Sequence, residues 1–211
     1  MSRERIIARV VAAGLSAGDV TPAGEAPSDR GVARIARAAD VVDLFVSRAR
    51  DLGVEVAIAG SLEDAAGLAE SWCAARRVQR AAVWDVPDLA PALARLRAAG
   101  VSIVGPGATA RDVAGADAGI TGAQWGVAET GTVVLASSPR QPRLASLLPP
   151  AHLVVLRADR ILPDLAALFA ACGPLPSALT FISGPSRSAD IALVPVLGAH
   201  GPMEVSVVLV S

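Results

Sequence analysis

From residue 54 onward the chain alternates short apolar runs with longer segments of helical periodicity, and this alternation constrains the fold more than any other feature. The runs predicted as strands are 54–60, 80–86, 100–107, 131–138, 152–158, 178–186 and 204–210. Helical patterns occupy 61–77, 88–99 and 162–172. The strand runs are apolar throughout rather than at alternate positions, as burial of both sheet faces requires. The sequence therefore predicts a three-layer α/β domain with a mainly parallel sheet and helices on both faces.

The residues before position 54 follow a different pattern. An amphipathic helical stretch opens the chain, a loop rich in Gly, Pro, Ser and Asp covers 14–31, and a second helical pattern covers Val32–Leu52. We expect 1–53 to form an N-terminal helical segment with a Gly/Pro-rich loop, and 54–211 to form the α/β domain. Arginines interrupt the apolar part of the first stretch and no clear cleavage site follows, so we interpret the chain as cytoplasmic. Every apolar run is too short to span a membrane.

Charge and residue composition exclude several classes of function. The formal net charge is −1 and arginines are spread along the chain, which argues against a nucleic-acid partner. The chain contains no lysine, which excludes both Schiff-base chemistry and a Walker A phosphate loop. Cys73 and Cys172 lie in apolar helical patterns typical of core residues. Two cysteines and two histidines are too few for a conventional iron–sulfur or structural zinc site, so we expect no metal cofactor in this chain.

Ligands of open α/β sheets bind beyond the carboxyl ends of the strands, so the residues that follow the predicted strands are the candidates for a site. The prominent segments of this kind are 104–107, 120–123, 137–141 and 182–190. We predict a pocket for a small anionic ligand, lined by 120–131 and 182–190. Its predicted ligand-binding residues are Thr121, Gly122, Thr130, Gly131, Ser183, Gly184, Ser186, Arg187, Asp190 and His200.

The segment 182–190 has the richest chemistry of these candidates. Gly184 permits a positive φ or a close approach of the backbone to a ligand. Ser186 and Ser188 are suitable helix caps, and Arg187 is a ready partner for an anion at the start of such a helix. The alternative is a plain strand–helix turn with a surface ion pair between Arg187 and Asp190. The sequence leaves both interpretations open.

Glu129 is the candidate catalytic residue, because it stands between small residues at the mouth of a predicted strand. Thr130 offers a hydrogen bond and Gly131 leaves room for a substrate, so Glu129 could act as a nucleophile or a base. The alternative is an exposed carboxylate in a turn. His200, between small residues of a predicted loop, is open to the same two interpretations: a titrating group beside a ligand, or a surface residue.

Five short motifs occur in a specific order in the second half of the chain: ITGA from 120, AETGT from 128, LLPPAH from 147, SGPSRSADI from 183 and GAHGP from 198. In this combination the chain resembles the LUD-domain family, in particular its small lactate-utilisation protein C branch. That family is similar in fold to the NagB/RpiA/CoA-transferase superfamily. The resemblance is close over about the last hundred residues and extends in layout to the strand–helix part before them.

The resemblance implies a function. Members of this branch are expected to work with two iron–sulfur partner proteins in bacteria to oxidise L-lactate to pyruvate, with the clusters only on the partners. A catalytic role for this chain would make it part of a lactate dehydrogenase-type oxidoreductase complex. Class I CoA transferases place a nucleophilic glutamate two residues before a glycine, and Glu129 and Gly131 have that spacing. This chain departs from the family pattern at two positions. It has Gln124 where an acidic residue is common in the family, and Ser206 where a histidine is common.

The sequence therefore predicts a non-iron–sulfur component of a lactate-oxidation system. Two alternatives stay open. The chain could be a stand-alone enzyme that acts on a small carboxylate, thioester or sugar phosphate through Glu129, or an assembly subunit without a ligand. Association of the chain into a homo-oligomer also stays open. Kinship of fold does not decide between these functions.

Overall fold

The computed structural model describes residues 38–173, 176–189, 195–198 and 200–211. Its helices are α1 (Ala38–Asp51), α2 (Leu62–Ala75), α3 (Ala90–Ala98), α4 (Ala110–Ala114) and α5 (Leu165–Ala171). Its strands are β1 (Glu55–Ala59), β2 (Arg80–Val83), β3 (Ser102–Val104), β4 (Ala118–Gly122), β5 (Trp125–Val127), β6 (Thr132–Ala136), β7 (Ala151–Arg157), β8 (Ile161–Leu162), β9 (Leu179–Ile182), β10 (Arg187–Ala189), β11 (Pro195–Leu197) and β12 (Glu204–Val210). The predicted first helix, the 14–31 loop and Asp190 lie outside the described residues.

Six strands form a parallel central sheet in the order β1-β12-β7-β4-β2-β3. Strands β4 and β7 are buried along almost their whole length, because both faces of the sheet are covered. The core is built mainly from Ala, Val and Leu, with Trp84 and Phe45 as its largest fully buried side chains. The predicted three-layer α/β architecture with a mainly parallel sheet is confirmed.

A second sheet of four strands, in the order β8-β5-β6-β9, was not predicted. Strands β5 and β6 pair antiparallel, and so do β6 and β9. The turn 128–131 between β5 and β6 is too short for a parallel crossover, so these strands can form only a hairpin. The expectation that the predicted strands 131–138 and 178–186 extend a mainly parallel sheet is therefore wrong.

Several element boundaries shift for identifiable reasons. Ser61 caps α2 as predicted, since its hydroxyl accepts a hydrogen bond from the Asp64 backbone N–H at 3.0 Å. The helix predicted from residue 162 begins only at Leu165. Asp164 is its N-cap and accepts a hydrogen bond from the Ala167 backbone N–H at 2.7 Å. Among the described helices, none has the length and apolar character needed to cross a membrane.

The segment after β9 does not begin a helix. Strand β10 starts at Arg187 and pairs antiparallel with β11. The Ser186 backbone N–H donates to the Pro202 carbonyl at 2.8 Å, and the Ser186 carbonyl accepts from the Gly198 N–H at 3.0 Å. The expectations that Ser186 and Ser188 cap a helix, and that Arg187 stands at a helix N-terminus, are therefore wrong. The backbone groups expected to bind an anion pair instead with the returning chain.

Cys73 has the core role that its apolar pattern predicts. The side chain is 2% exposed, and burial raises the pKa of the thiol to about 11, opposed by the nearby Arg76 guanidinium. Such a thiol stays protonated at neutral pH and is a poor nucleophile. Cys172 is half-buried against the small apolar cluster between the second sheet and α5.

Candidate active site at the carboxyl edge of the sheet

A cleft of about 210 Å³ lies beyond the carboxyl ends of β2 and β4, and we call it the sheet-edge cleft. It is lined by Trp84, Val86, Pro87, Asp88, Gly122, Ala123, Gln124, Gln141 and Arg160. The topology makes this a natural place for a ligand. From β2 the chain runs outward to β3 at the sheet edge and then returns to β4 on the other side of β2. Open α/β sheets bind ligands where the strand order reverses in this way.

Trp84 anchors one wall of the cleft. Its indole Nε1 donates to the Pro142 carbonyl at 3.1 Å, and the neighbouring Asp85 N–H donates to the Arg140 carbonyl at 3.1 Å. These bonds hold the loop after β6 against the end of β2. As a result Gln141, in the loop that follows β6 of the second sheet, reaches a cleft that is built mainly by residues after strands of the parallel sheet.

Arg160 supplies the positive charge of the cleft. Its Nη1 lies 2.9 Å from Asp88 Oδ2 and donates to the Ala123 carbonyl at 3.3 Å. Both contacts use the same nitrogen. In the part of the chain that the structure describes, the Nε–Nη2 edge of this guanidinium has no hydrogen-bond partner. That edge is the planar fork that binds a carboxylate with two parallel hydrogen bonds.

Two glutamine side chains complete the polar lining. The Gln124 Oε1 atom accepts a hydrogen bond from the Ala136 backbone N–H at 2.7 Å. The Gln141 Oε1 atom accepts one from the Ser138 hydroxyl at 3.1 Å. The Ala136 N–H can only donate, so it fixes which end of the Gln124 amide is the oxygen, whereas the Ser138 hydroxyl can donate or accept and is compatible with either orientation of Gln141. In this structure neither Nε2 group has a hydrogen-bond partner among the described residues.

Of the predicted ligand-binding residues, Gly122 lines the sheet-edge cleft, whereas Thr121 lies beneath it. The Thr121 hydroxyl is 2.9 Å from Nε2 of His152, and both side chains are fully buried. Burial lowers the pKa of His152 to about 3, so the ring is neutral at physiological pH. Its Nδ1 atom has no hydrogen-bond partner among the described residues. Thr121 therefore contacts a buried histidine of the core.

Most of the other predicted residues meet at the carboxyl end of α1, in a cluster that we call the helix-end clasp. It consists of Thr130, Gly131, Thr132, Ser183, Gly184 and Arg187. The Thr132 hydroxyl bridges the hydroxyls of Thr130 and Ser183, at 2.7 Å from each. Arg187 Nη2 donates to the Leu52 carbonyl at 3.0 Å, just beyond the end of α1. A cation is favourable there because the helix dipole places partial negative charge at its carboxyl end.

The two glycines of the clasp allow the loops to approach α1 closely. Gly131 has a φ of +62°, and a Cβ at this position would collide with the backbone of Arg48 and Ala49. Gly184 has a φ of +90°, and a Cβ there would lie 2.8 Å from the Leu52 carbonyl oxygen. The glycines of the AETGT and SGPSR motifs thus serve packing against a helix.

Glu129 is exposed in the turn between β5 and β6, and its backbone N–H donates to the Pro163 carbonyl at 3.0 Å. It does not line the sheet-edge cleft. The hydrogen bonds of Thr130 and Thr132 bring this turn next to Ser183, so the two predicted segments do meet, but at the helix end. His200 is exposed, and its backbone N–H donates to the Ser186 hydroxyl at 3.2 Å. Catalysis by Glu129 stays a prediction.

Sequence reasoning did not assign Trp84, Asp88, Gln141 or Arg160 to the pocket, although Gln141 falls in 137–141, one of the segments that follow predicted strands. The rule about carboxyl strand ends was sufficient to find Asp88 and Arg160, which lie two residues after the predicted strands 80–86 and 152–158, whereas Trp84 lies inside the first of these predicted strands. Gln141 is different. It reaches the cleft only through the loop contacts of Trp84 and Asp85, for which the sequence carries no local signal.

Comparison with known proteins decides the family. The LUD domain profile matches residues 42–210. This chain belongs to the LUD-domain family. The LUD chain is 42% identical over 102 residues to Lactate utilization protein C of Halalkalibacterium halodurans, which covers 45% of this chain and 44% of that relative. It is 40% identical over 103 residues to Lactate utilization protein C of Bacillus subtilis, covering 46% and 43%. The match thus spans less than half the length of these relatives.

A solved structure supports the fold of this LUD chain. The crystal structure of a DUF162 family protein from Deinococcus radiodurans superposes with a TM-score of 0.60, over 83% of this chain and 99% of that one. The two sequences are 24% identical, so the likeness extends to the fold alone.

Proposed function

We propose that this LUD-domain chain is a non-iron–sulfur component of a bacterial system that oxidises L-lactate to pyruvate. Its similarity to proteins named Lactate utilization protein C, at 42% and 40% identity, supports a role in lactate utilisation. In this proposal two partner proteins carry the iron–sulfur clusters, and this chain holds no cofactor of its own. Its contribution is to bind a small anion of the pathway.

The observation that carries the proposal is the sheet-edge cleft. It stands at the reversal point of the strand order, and it is lined by Arg160, whose Nε–Nη2 edge has no hydrogen-bond partner among the described residues. Its volume of about 210 Å³ suits a ligand of only a few heavy atoms. L-lactate and pyruvate are both small anions of this kind.

Binding is better supported than catalysis by this chain alone. Among the described residues that line the sheet-edge cleft, Asp88 is the one carboxylate, and it is held in an ion pair with Arg160. Glu129, on which the stand-alone enzyme depends, lies at an exposed turn outside the cleft. We therefore favour a subunit that binds the small anion while a partner carries the redox step.

Gene deletion in the native host tests the proposal. We expect the deletion strain to lose growth on L-lactate as sole carbon source and to keep growth on glucose. The wild-type gene should restore growth. Affinity purification of the tagged chain from lactate-grown cells should bring two iron–sulfur proteins with it. Normal growth of the deletion strain on L-lactate would contradict the proposal.

A further inference from the structure

We propose that the sheet-edge cleft selects its ligand by charge: it accepts a singly charged carboxylate and rejects dianions, with Arg160, Gln124 and Gln141 as the recognising donors and Asp88 as the selecting residue. This inference rests on the proposed function only in taking the cleft to be a binding site. It adds a selection rule and the residues that enforce it.

The first step of the argument concerns the free donors. Arg160 uses only Nη1 for its contacts with Asp88 and Ala123, which leaves the Nε–Nη2 edge for a carboxylate. Those two contacts also hold the guanidinium in place, so little side-chain freedom is lost when an anion binds. A planar carboxylate fits this edge better than any neutral group does.

The second step concerns the amides. Gln124 and Gln141 both line the cleft and accept hydrogen bonds through their oxygens, from the Ala136 N–H and the Ser138 hydroxyl, so the NH₂ group of each has no partner among the described residues. Three donor groups therefore surround the space, from three different segments. A ligand that fills it needs acceptor oxygens, either in its carboxylate or on the adjacent carbon.

The third step concerns the balance of charge between the cleft and its ligand. Asp88 lies 2.9 Å from Arg160 and its side chain is only 21% exposed, so it offsets most of the guanidinium charge. A monoanion still gains two charge-assisted hydrogen bonds from the fork. The second charge of a dianion would meet the Asp88 carboxylate, and like charges at short range repel. The next cation in range of Asp88 among the described residues, Arg157, is held by both carboxylate oxygens of Asp159.

A panel of ligands titrated into the purified full chain at about pH 8.5, where inorganic phosphate is almost entirely a dianion, tests the rule. Isothermal titration would compare L-lactate, pyruvate and propionate, as monoanions, with malonate and inorganic phosphate. We expect the three monoanions to bind more tightly than either dianion, and the pair with an oxygen on the adjacent carbon to bind more tightly than propionate. Equal or tighter binding of phosphate or malonate would overturn the proposal.

Three variants locate the effect. R160Q should weaken monoanion binding by about tenfold or more, because the charge-assisted fork is lost. Q124E keeps the acceptor for the Ala136 N–H but removes a donor and adds negative charge, so it should weaken binding by about tenfold while the protein stays folded. D88N removes the opposing charge and should raise the affinity for malonate and phosphate. The matched control is R95Q, because Arg95 is an exposed arginine in the same kind of ion pair, with Glu70, and neither residue lines the cleft.

The outcomes separate this inference from the proposed function. The inference is overturned if no monoanion binds, or if R160Q binds monoanions as tightly as the wild-type chain does. Neither result decides the proposed function, which is tested separately by growth of the deletion strain on L-lactate. If the panel follows the charge rule but the deletion strain grows normally on L-lactate, the selection rule stands and the proposed function fails.

Discussion

In the helix-end clasp the polar groups meet partners on the chain itself, whereas in the sheet-edge cleft three donor groups are left without one among the described residues. The hydroxyls of Thr130, Thr132 and Ser183 bond to one another. Arg187 donates a hydrogen bond to the Leu52 backbone carbonyl. Arg160, by contrast, keeps one whole edge of its guanidinium free. Conspicuous glycine and hydroxyl motifs thus mark close backbone packing, while donors without a described partner lie in less conspicuous residues after the parallel strands.

The largest effect that we expect comes from filling the contact between the clasp and α1. Gly131→Ala should lower the free energy of unfolding by about 3 kcal/mol, because its Cβ collides with the backbone of Arg48 and Ala49 at a positive φ. Urea denaturation measures this. Gly100→Ala is the matched control, since Gly100 also has a positive φ, +84°, but no atom lies within 4 Å of its Cβ position. Equal losses in the two variants would show that the clasp is not tightly packed.

The second effect concerns His152, the buried partner of Thr121 in the core. Burial lowers the pKa of this ring from 6.5 to about 3, so the unfolded chain takes up a proton near pH 6.5 and the folded chain does not. Stability is therefore retained above pH 6.5 and lost as the pH falls toward 3. Between pH 7 and pH 5 the loss from this group should be about 2 kcal/mol.

Urea unfolding of His152→Asn at pH 7 and pH 5 checks this prediction. The difference in the free energy of unfolding between the two pH values should shrink by most of the expected loss. His200→Asn, at an exposed histidine, controls for the general effect of losing an imidazole. If the pH dependence of the free energy of unfolding is unchanged in His152→Asn, the wild-type ring is accessible to solvent. Thr121, which contacts this ring, would then again be a candidate residue of the cleft.

The smallest effect is expected at Arg187. Its side chain is exposed and makes a single described contact, with the Leu52 carbonyl at the end of α1. Arg187→Ala should lower the free energy of unfolding by about 0.5–1 kcal/mol, as expected for a cation at a helix carboxyl end. Thermal or urea denaturation measures this. No loss of stability would leave the sequence-based interpretation, an anion-binding arginine, as the better one.

Five strands of the parallel sheet were predictable because they form short apolar runs in the sequence. Strand β4 was not predicted, because its sequence Ala-Gly-Ile-Thr-Gly contains only one large apolar residue. The second sheet was not, because β5 has only three residues, Trp125–Val127, and no periodicity can be recognised in so short a stretch. The return of β11 onto β10 was missed for a related reason. A Gly-Pro-Ser turn looks like the start of a helix, and only long-range pairing with the chain near Gly198 excludes it.

The candidate site was predictable in part. The rule about carboxyl strand ends led to Gly122, which lines the cleft, but attention to glycine and serine motifs led away from Arg160, which follows β7. Gln141 enters the cleft only through contacts of Trp84 and Asp85 with the loop after β6. Such contacts join residues more than fifty positions apart, as Trp84 and Pro142 show with a separation of 58, and no local pattern encodes them.

The central claim is that the ligand chemistry of this chain lies in the sheet-edge cleft and not in the helix-end clasp. The most direct test is calorimetric titration of pyruvate into the folded variants R160Q and R187A under identical conditions. The account predicts that R160Q loses about tenfold or more in affinity and that R187A binds as the wild-type chain does. Loss of binding in R187A together with retained binding in R160Q would contradict it and would place the anion at the clasp.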